Sequence, residues 1–162
     1  MATLRALVLV CSLKKSPAPS SSERLGREVL TALADHDVDG EVVRVVDHDV
    51  RFGVSTDEGD AELSETDDQG RMLTYGKVAT VAVVGNEDGA HHVTAEVMQA
   101  LNDVGFTVPA SGGTYWVGEA MQGKDYVDAG AKPDTTGKAT KTLAANAAHA
   151  ARLLADAPYP PA

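Results

Sequence analysis

The amino-acid sequence predicts a three-layer α/β domain built on a parallel β-sheet, and three observations support this fold class. Short runs rich in Val and Leu alternate along the chain with stretches in which apolar residues recur at helical spacing. The runs are almost continuously apolar, as parallel strands buried on both faces usually are. A length of 162 residues fits one domain with a substantial core, so we predict a single domain over residues 1–162.

The first predicted strand is "LRALVLVC", residues 4–11. A secretory signal also begins with a cation and an apolar run, but here the stronger charge follows the run and no small-residue cleavage pattern appears. A helix is predicted for residues 22–34, where four aliphatic side chains recur at helical spacing. The second strand is predicted for residues 41–46, after the turn-forming stretch "HDVDG".

The third strand is predicted for residues 77–85, "KVATVAVVG", and a second helix follows at residues 93–104. We expect this helix to stop at Gly105, since glycine commonly follows the last residue of a helix. After the segments "FTVPA" and "TYWVG", the last helix is predicted for residues 135–156, and "PYPPA" ends it.

An acidic loop of about residues 50–74 interrupts the alternation of strands and helices. It carries no apolar run comparable with the predicted strands. A βαβ crossover takes roughly 30 residues or more including its strands, so this interval can hold a connection but not a further strand and helix. We predict a solvated loop here.

Charge and cysteine content exclude several classes of protein. The net charge is −10, so the overall field repels nucleic acids and anionic membrane surfaces. None of the apolar runs has the length that a bilayer requires. Cys11 is the single cysteine, which excludes an internal disulfide and fits a reducing compartment. We therefore expect a cytoplasmic protein that binds neither nucleic acid nor membrane.

The loop after the first strand is the first candidate site, because ligands of open α/β sheets bind beyond the carboxyl ends of the strands. Ser20, Ser21 and Ser22 lie where the helix begins, and the free amides of a helix N-terminus favour an anion. Lys14 or Lys15 can add positive charge. These residues predict phosphate binding; the alternative is that one serine caps the helix and the others fill a Pro-rich loop.

The loop after the third strand, "GNEDGAHH", is the second candidate. Gly85 and Gly89 permit a close approach to the backbone. Asn86, Asp88 and His91 offer polar contacts to a ring rich in heteroatoms. The alternative is ordinary helix capping with solvated histidines. A metal site is not predicted, because His91 is paired only with the adjacent His92 and lacks a third ligand.

Two further features remain open. Tyr115 and Trp116 stand side by side and either line a flat aromatic ligand or cap the edge of the sheet. Cys11 follows a strand, as in thiolate phosphatases and arsenate reductases, but the sixth residue after it is Pro17 where those enzymes carry Arg. We expect Cys11 to be a small buried residue, with the Cys-dependent enzyme as a minor alternative. Phosphate-binding fingerprints of nucleotide triphosphate or dinucleotide sites are missing from the sequence.

Three long segments carry a family resemblance: "CSLKKSPAPSSSERL", "YGKVATVAVVGNEDGAHH" and "GFTVPASGGTYWVGEAM". In this order they resemble the flavodoxin-like family of NAD(P)H-dependent FMN reductases and quinone reductases. The resemblance spans nearly the whole chain and implies a three-layer flavodoxin-like parallel sheet.

The resemblance implies two groups of FMN-binding residues. Those of the phosphate group would be Ser12, Lys14, Ser20, Ser21 and Ser22. Those that border the isoalloxazine would be Gly85, Asn86, Gly89 and His91. Chemistry would be hydride transfer from NAD(P)H through the flavin to a small electron acceptor such as a quinone, with no side chain as catalytic residue.

One departure from the family lies between "STDEGD" and "LSETDD". Family members carry a further strand, a loop that packs on the flavin and a helix there. In the flavodoxin strand order 2-1-3-4-5 this strand is central, so we expect an internal deletion near residues 60–62 that splits the sheet into halves. Exposed sheet edges would then favour a homo-oligomer. The alternative functions are a flavin-binding electron carrier and an impaired remnant without its own reductase activity.

Overall fold

The computed structural model describes residues 3–50, 66–85, 89–118, 123–130 and 134–161, and the structural statements below refer to these residues. The strands are β1 (Leu4–Val10), β2 (Val38–Arg44), β3 (Val81–Gly85) and β4 (Gly113–Val117). The α-helices are α1 (Ser21–Ala34), α2 (Ala90–Asp103) and α3 (Asp134–Asp156). Two short 3-10 turns occupy Val45–Asp47 and Tyr126–Asp128.

The four strands form two separate parallel sheets. β1 pairs with β2, with Leu4 opposite Val38, and β3 pairs with β4, with Val81 opposite Gly113. Within the described part of the chain, no ladder joins β1 to β3. The predicted α/β class with parallel strands is confirmed. The arrangement is compatible with a three-layer flavodoxin-like fold.

The main core lies between α1, β2 and α3. Val29 and Leu33 of α1 pack with Val38 of β2 and with buried Leu143 and Ala147 of α3. The alanines of α3 let its backbone come close to α1, so the two helices cover the same face of the β1–β2 sheet. Burial of this apolar face, at roughly 25 cal/mol per Å², is what stabilises these helices in place.

A second cluster connects α1 to the other sheet. Leu25 of α1 is fully buried against Trp116 of β4 and Tyr126, and Val84 of β3 packs on them. On the opposite end of β4, Thr114 and Thr140 share a buried hydrogen bond of 3.0 Å. Thr140 donates its proton to Thr136 O, so Thr114 must be the donor in this pair. Helices α1 and α3 therefore hold β4 from the same side.

The boundaries of two strands differ from the sequence prediction. β2 begins at Val38, because Asp37 completes the turn after α1 with a positive φ of 55° and leaves Val38 free to pair with Leu4. β3 begins at Val81, and the predicted start of this strand contributes only an isolated parallel bridge between Val78 and Thr107. The predicted stop at Gly105 is confirmed: Gly105 has a φ of 91° and follows α2.

The environment of Cys11 also differs from the sequence prediction. The thiol was expected to be buried, but Cys11 is exposed, because it lies beyond the last residue of β1 and not inside the strand. The expected deletion near residues 60–62 lies outside the described residues. The described end of the acidic loop, residues 66–74, forms a tight turn in which Asp67 Oδ1 accepts hydrogen bonds from the amides of Gln69 and Arg71.

Large apolar side chains remain exposed on both sides of the split sheet. On β1, Leu7 is 57% and Leu9 60% exposed. On α2, Val93 and Val97 are 44% and 39% exposed. The side chains of β1 that face α1 are covered and those of the opposite face are not, so this sheet has helices on one side only among the described residues.

Candidate functional site

The candidate site begins with the loop of residues 11–20 between β1 and α1. Ser20 is the N-cap of α1: its backbone is extended, and its Oγ accepts a hydrogen bond from Glu23 N at 3.3 Å. The capping alternative is therefore realised for Ser20. The remaining amides of the first turn point towards the loop, where the positive end of the helix dipole favours an anion.

Three serine hydroxyls around this loop have their oxygen held by a backbone amide. Ser12 Oγ accepts from Lys14 N at 3.2 Å, and Ser21 Oγ accepts from Val127 N at 3.1 Å, in the same way as Ser20 accepts from Glu23 N. A hydroxyl has one proton and two lone pairs, so an oxygen that accepts one bond can still donate its proton to an anion. These hydrogen bonds orient the hydroxyl groups and leave the proton of each hydroxyl available to a ligand.

The two other predicted phosphate residues are positioned differently. Lys14 is exposed in the loop, where its ammonium group can turn to a ligand. Ser22 is half-buried in the first turn of α1, one residue from Ser21. The structure therefore gathers all five predicted phosphate residues in the loop and the first turn that follows it.

Residues at and just after the carboxyl end of β2 hold this loop in place by hydrogen bonds to its backbone. Buried Arg44 donates from Nη1 to Lys14 O and to Ala18 O, both at 2.9 Å. Asp47 Oδ1 accepts from Ser16 N at 2.9 Å, and the hydrogen bonds from Ser16 lower the pKa of the Asp47 carboxyl. Arg44 was not among the residues predicted from the sequence. The available signal was an arginine inside the apolar run "EVVRVV".

Arg44 also binds Glu23, one turn into α1. Its Nε donates to Glu23 Oε2 at 3.1 Å, and its Nη2 contacts the same oxygen. Arg27 donates from Nη2 to Glu23 Oε1 at 2.6 Å. The hydrogen bonds from Arg44, and after it from Arg27, hold the pKa of the Glu23 carboxyl below its usual range. The carboxylate therefore stays charged and keeps Arg44 paired at neutral pH.

The second half of the candidate site lies at the carboxyl end of β3. Gly85 O accepts from Gly118 N at 3.0 Å. Gly89 caps α2 without a side chain, and a Cβ atom at this position would meet no atom within 4 Å. The backbone at Gly89 is therefore open to a ligand. Asn86, also predicted here, lies outside the described residues.

His91 contacts an aromatic ring of the neighbouring strand. Its ring lies edge-on to Tyr115, with centroids 4.9 Å apart and an angle of 73°. Tyr115 is exposed on this face of β4, whereas Trp116 points to the opposite face and is buried with Tyr126. The two side chains point to opposite faces of β4, because successive side chains of a strand alternate between its faces. Tyr115 is the more exposed of the two.

The two halves of the site lie at the same end of the molecule. Leu25, in the second turn of α1, belongs to the buried cluster against which Val84, the residue before Gly85, packs. Ser21, in the first turn, is bound to Val127 in the segment that follows β4. The phosphate loop and the strand end at Gly85 are therefore both reached from the N-terminal half of α1.

Cavities adjoin the described residues in at least two places, and neither of these is lined by the residues predicted to bind the flavin phosphate or to border the isoalloxazine. One, of about 250 Å³, is lined by residues that include Arg71, Tyr75 and Tyr159. The other, of about 200 Å³, is lined by residues that include Tyr115 and Thr136. The second adjoins the ring half of the site through Tyr115, the partner of His91. The described residues contain no group of three or more His, Cys, Asp or Glu arranged to hold a metal ion.

Comparisons with known proteins relate the chain to a flavin-analogue enzyme. No protein-family model matches it. It is 28% identical over 206 positions to 8-demethyl-8-aminoriboflavin-5'-phosphate synthase of Streptomyces davaonensis, with 96% of this chain and 80% of that protein covered. The crystal structure of RosB with the bound intermediate 8-demethyl-8-formylriboflavin-5'-phosphate superposes with a TM-score of 0.83 at 27% identity, covering 96% of this chain and 82% of that one.

A second relative is the divalent metal cation transporter MntH of Mycobacterium bovis, 27% identical over 198 positions. The match covers 93% of this chain but only 29% of the transporter. The part of the chain that the structure describes contains no helix long and apolar enough to cross a membrane. This match therefore concerns one portion of the larger protein.

The matched region of the synthase is longer than this chain. Its 206 aligned positions exceed the 162 residues of this chain by 44. At least that many positions of the synthase therefore have no counterpart here. Nevertheless, the described strands and helices take the arrangement seen in RosB.

These comparisons correct the functional expectation from the sequence. The assignment to NAD(P)H-dependent FMN reductases and quinone reductases was wrong, because the relatives that match most of this chain and most of their own length are the riboflavin-analogue synthase and RosB. Hydride transfer from NAD(P)H to a quinone is therefore not supported. The cofactor prediction, FMN with NAD(P)H as reductant, was wrong for the same reason: the flavin in the RosB structure is a reaction intermediate. The motifs indicated a flavin phosphate but not the role of the flavin.

Proposed function

We propose that this protein binds a riboflavin-5'-phosphate-type flavin as its substrate and belongs functionally with enzymes of riboflavin-analogue synthesis. The observation that carries the proposal is the likeness to RosB with an 8-substituted riboflavin 5'-phosphate bound, over 96% of this chain. The flavin is the molecule to be modified and not a redox cofactor that works with NAD(P)H.

The phosphate would bind at the loop between β1 and α1. Ser12, Ser20 and Ser21 present hydroxyl donors whose oxygens are already held by backbone amides. Ser22 and Lys14 add a further hydroxyl and a positive charge. Charge-assisted hydrogen bonds from such groups are about twice as strong as neutral ones, and this favours a phosphate dianion over an uncharged ligand.

The isoalloxazine ring would lie against the end of β3 and the start of α2. A Cβ atom at Gly89 would meet no atom within 4 Å, so a flat ring can approach the backbone closely at this position. His91 and Tyr115 form an aromatic edge beside it. Asn86, between Gly85 and Gly89, belongs to this part of the proposal on its sequence position alone.

The reaction we propose is a change of the substituent at ring position 8 that begins with oxidation of the methyl group to a formyl group. Dioxygen would be the oxidant: it accepts the four electrons, supplies the formyl oxygen and forms one water. The related synthase is named for an 8-amino product, and the RosB structure holds an 8-formyl intermediate. This chain contributes binding and orientation of the flavin through the residues above. We assign no catalytic side chain. The single cysteine, which fits a reducing compartment, supports a cytoplasmic location.

Binding can be tested by titration of the purified full-length protein with flavins. We expect riboflavin-5'-phosphate and 8-demethyl-8-formylriboflavin-5'-phosphate to bind at least about tenfold more tightly than riboflavin, since one charge-assisted hydrogen bond supplies that factor. Lys14→Ala should weaken only the phosphate esters, and Lys138→Ala, an exposed lysine of α3, is the matched control. Equal affinity for riboflavin and its phosphate would exclude the proposed phosphate site.

The reaction requires a separate test. We would express the protein in a bacterial host, which supplies co-reactants, and analyse the extracted flavins by mass spectrometry. The proposal expects an 8-substituted flavin 5'-phosphate that is missing from cells with an empty vector. An unchanged flavin pool in cells that contain folded, flavin-binding protein would contradict the proposed reaction but not the binding.

A further inference from the structure

The carboxyl end of β2 holds the loop of residues 11–20 in place, although the two segments are distant in the sequence. Arg44 ends β2, and its side chain is only 6% exposed. Its guanidinium donates two 2.9 Å hydrogen bonds to carbonyl oxygens of the loop, those of Lys14 and Ala18. Its Nε and Nη2 bind Glu23 of α1. A single buried side chain therefore joins the strand, the loop and the helix.

We propose that Arg44 is a positioning residue for phosphate binding: by holding Lys14 O, it aims the backbone N–H of Lys15 at the bound phosphate. This inference rests on the proposed function, because it assumes that the loop binds the flavin phosphate.

The geometry of the peptide unit carries the argument. Lys14 and Lys15 are joined by a trans peptide, in which the carbonyl and the N–H point in opposite directions. Since the carbonyl points inward to buried Arg44, the N–H of Lys15 points to the outer side of the loop. Ala18 O, the second carbonyl held by Arg44, precedes Pro19, which has no N–H. When Arg44 holds Lys14 O and Ala18 O, the N–H of Lys15 therefore points outward. Pro19 has no N–H that could be left without an acceptor.

The neighbouring amides distinguish Lys15 from the rest of the loop. Lys14 N donates to Ser12 Oγ, Ser16 N to Asp47 Oδ1 and Ala18 N to Lys15 O. These three donors are occupied within the protein. The amide of Lys15 lies between two of them and is turned the other way. It is a donor directed away from Arg44, in the same loop that carries Ser12 and Ser20.

The test compares two arginine variants by their preference for phosphate. Arg44→Lys keeps the charge but replaces the guanidinium fork with a point donor, which cannot hold two carbonyls and Glu23 together. Arg27→Lys is the control, since Arg27 binds the same carboxylate but no loop carbonyl. We would measure the dissociation constants of riboflavin and riboflavin-5'-phosphate for each protein, together with the midpoint of unfolding.

We expect Arg44→Lys to reduce the preference for the phosphate ester about tenfold, with riboflavin affinity within about twofold of wild type. Arg27→Lys should keep the preference. An unchanged preference in folded Arg44→Lys would overturn the inference. A wild-type protein that binds neither flavin would instead overturn the proposed function.

A measurement on the unmodified protein remains decisive if Arg44→Lys fails to fold. In a ¹⁵N–¹H correlation spectrum, the amide of Lys15 should shift on addition of inorganic phosphate, whereas that of Ser16, held by Asp47, should move little. A Lys15 amide that stays in place while the resonances of Ser20 to Ser22 shift would show that the loop binds phosphate without it, and would refute the role of Arg44.

Discussion

The guanidinium of Arg24 lies 4.5 Å from the centroid of the Tyr126 ring. The same guanidinium donates to Ala129 O at 2.6 Å and to Gly130 O at 3.0 Å. The Tyr126 hydroxyl donates to Glu28 Oε2 at 2.6 Å. The segment after β4 is thus fastened to α1 beside the candidate phosphate site.

Tyr126→Phe tests this attachment by removing the hydrogen bond to Glu28. We expect the free energy of unfolding at pH 7 to fall by about 1.5–3 kcal/mol, the usual value for a hydrogen bond to a charged group. Tyr115→Phe, in which an exposed hydroxyl is removed, is the control and should change stability little. Urea unfolding of the three proteins measures the difference.

The pH dependence of Tyr126 gives a second readout. Burial, and then the hydrogen bond to Glu28, raises the pKa of this phenol. Its contribution to stability is therefore fully present below about pH 10, the ordinary pKa of tyrosine, and is lost as the pH rises further. Wild type should lose stability above pH 10 more steeply than Tyr126→Phe. Parallel curves for the two proteins would show that the phenol ionises equally in both states.

Gly89→Ala tests the ring half of the candidate site. A Cβ atom at Gly89 meets no atom within 4 Å, so we expect the unfolding midpoint to stay near that of wild type. The methyl group would occupy the space into which the ring is proposed to enter, and flavin affinity should fall about tenfold or more. Gly130→Ala, also into open space, is the control for flavin affinity. Unchanged flavin affinity in Gly89→Ala would remove this position from the site.

Gly105 and Gly76 separate backbone strain from steric conflict. Both have positive φ, but a Cβ at Gly105 would lie 2.5 Å from Thr74 Oγ1, whereas one at Gly76 meets nothing within 4 Å. We expect Gly76→Ala to cost about 1–2 kcal/mol from the left-handed conformation alone. Gly105→Ala should cost more, because it must also displace Thr74 from its hydrogen bond to Val104 O. If denaturant unfolding shows that both variants lose the same free energy of unfolding, Thr74 can move away from the new methyl group without a measurable loss of stability.

The exposed leucines of β1 predict self-association. We expect wild type to sediment with a concentration-dependent mass, since apolar sheet faces and free edges pair with other chains. The double variant Leu7→Lys, Leu9→Lys should shift the protein towards the monomer. Leu153→Lys on α3, where the leucine is 56% exposed, is the matched control and should behave as wild type. A wild-type monomer at all concentrations would contradict this prediction.

The elements with local signals were predictable from the sequence. The apolar spacing of α1 and the serine at its start indicate the helix directly, and the cap at Ser20 confirms them. The stop at Gly105 is equally local: Phe106 N bonds to Leu101 O and Gly105 N to Asn102 O, a pattern that glycine favours. Such features depend on residues within a few positions of each other.

The parts that sequence reasoning missed depend on distant contacts. Arg44 reaches a carbonyl 30 residues away at Lys14, and Arg24 reaches one 106 residues away at Gly130. The spacing of apolar residues along the sequence does not indicate contacts between residues so far apart. The error about the reductase activity has another origin, since similar loops bind a flavin phosphate whether the ring is a cofactor or a substrate.

The split sheet has a consequence for the temperature response of the molecule. Between the described strands, α1 and α3 connect the two sheets by side-chain contacts, which include the apolar cluster of Leu25 and Trp116 and the hydrogen bond between Thr114 and Thr140. A continuous sheet would use a ladder of backbone hydrogen bonds there. Apolar contacts weaken on cooling, while a hydrogen-bonded ladder has no such dependence. The two halves of this protein would therefore lose their mutual protection in the cold, and amide exchange near 0 °C would report them as two units where it reports one at 25 °C.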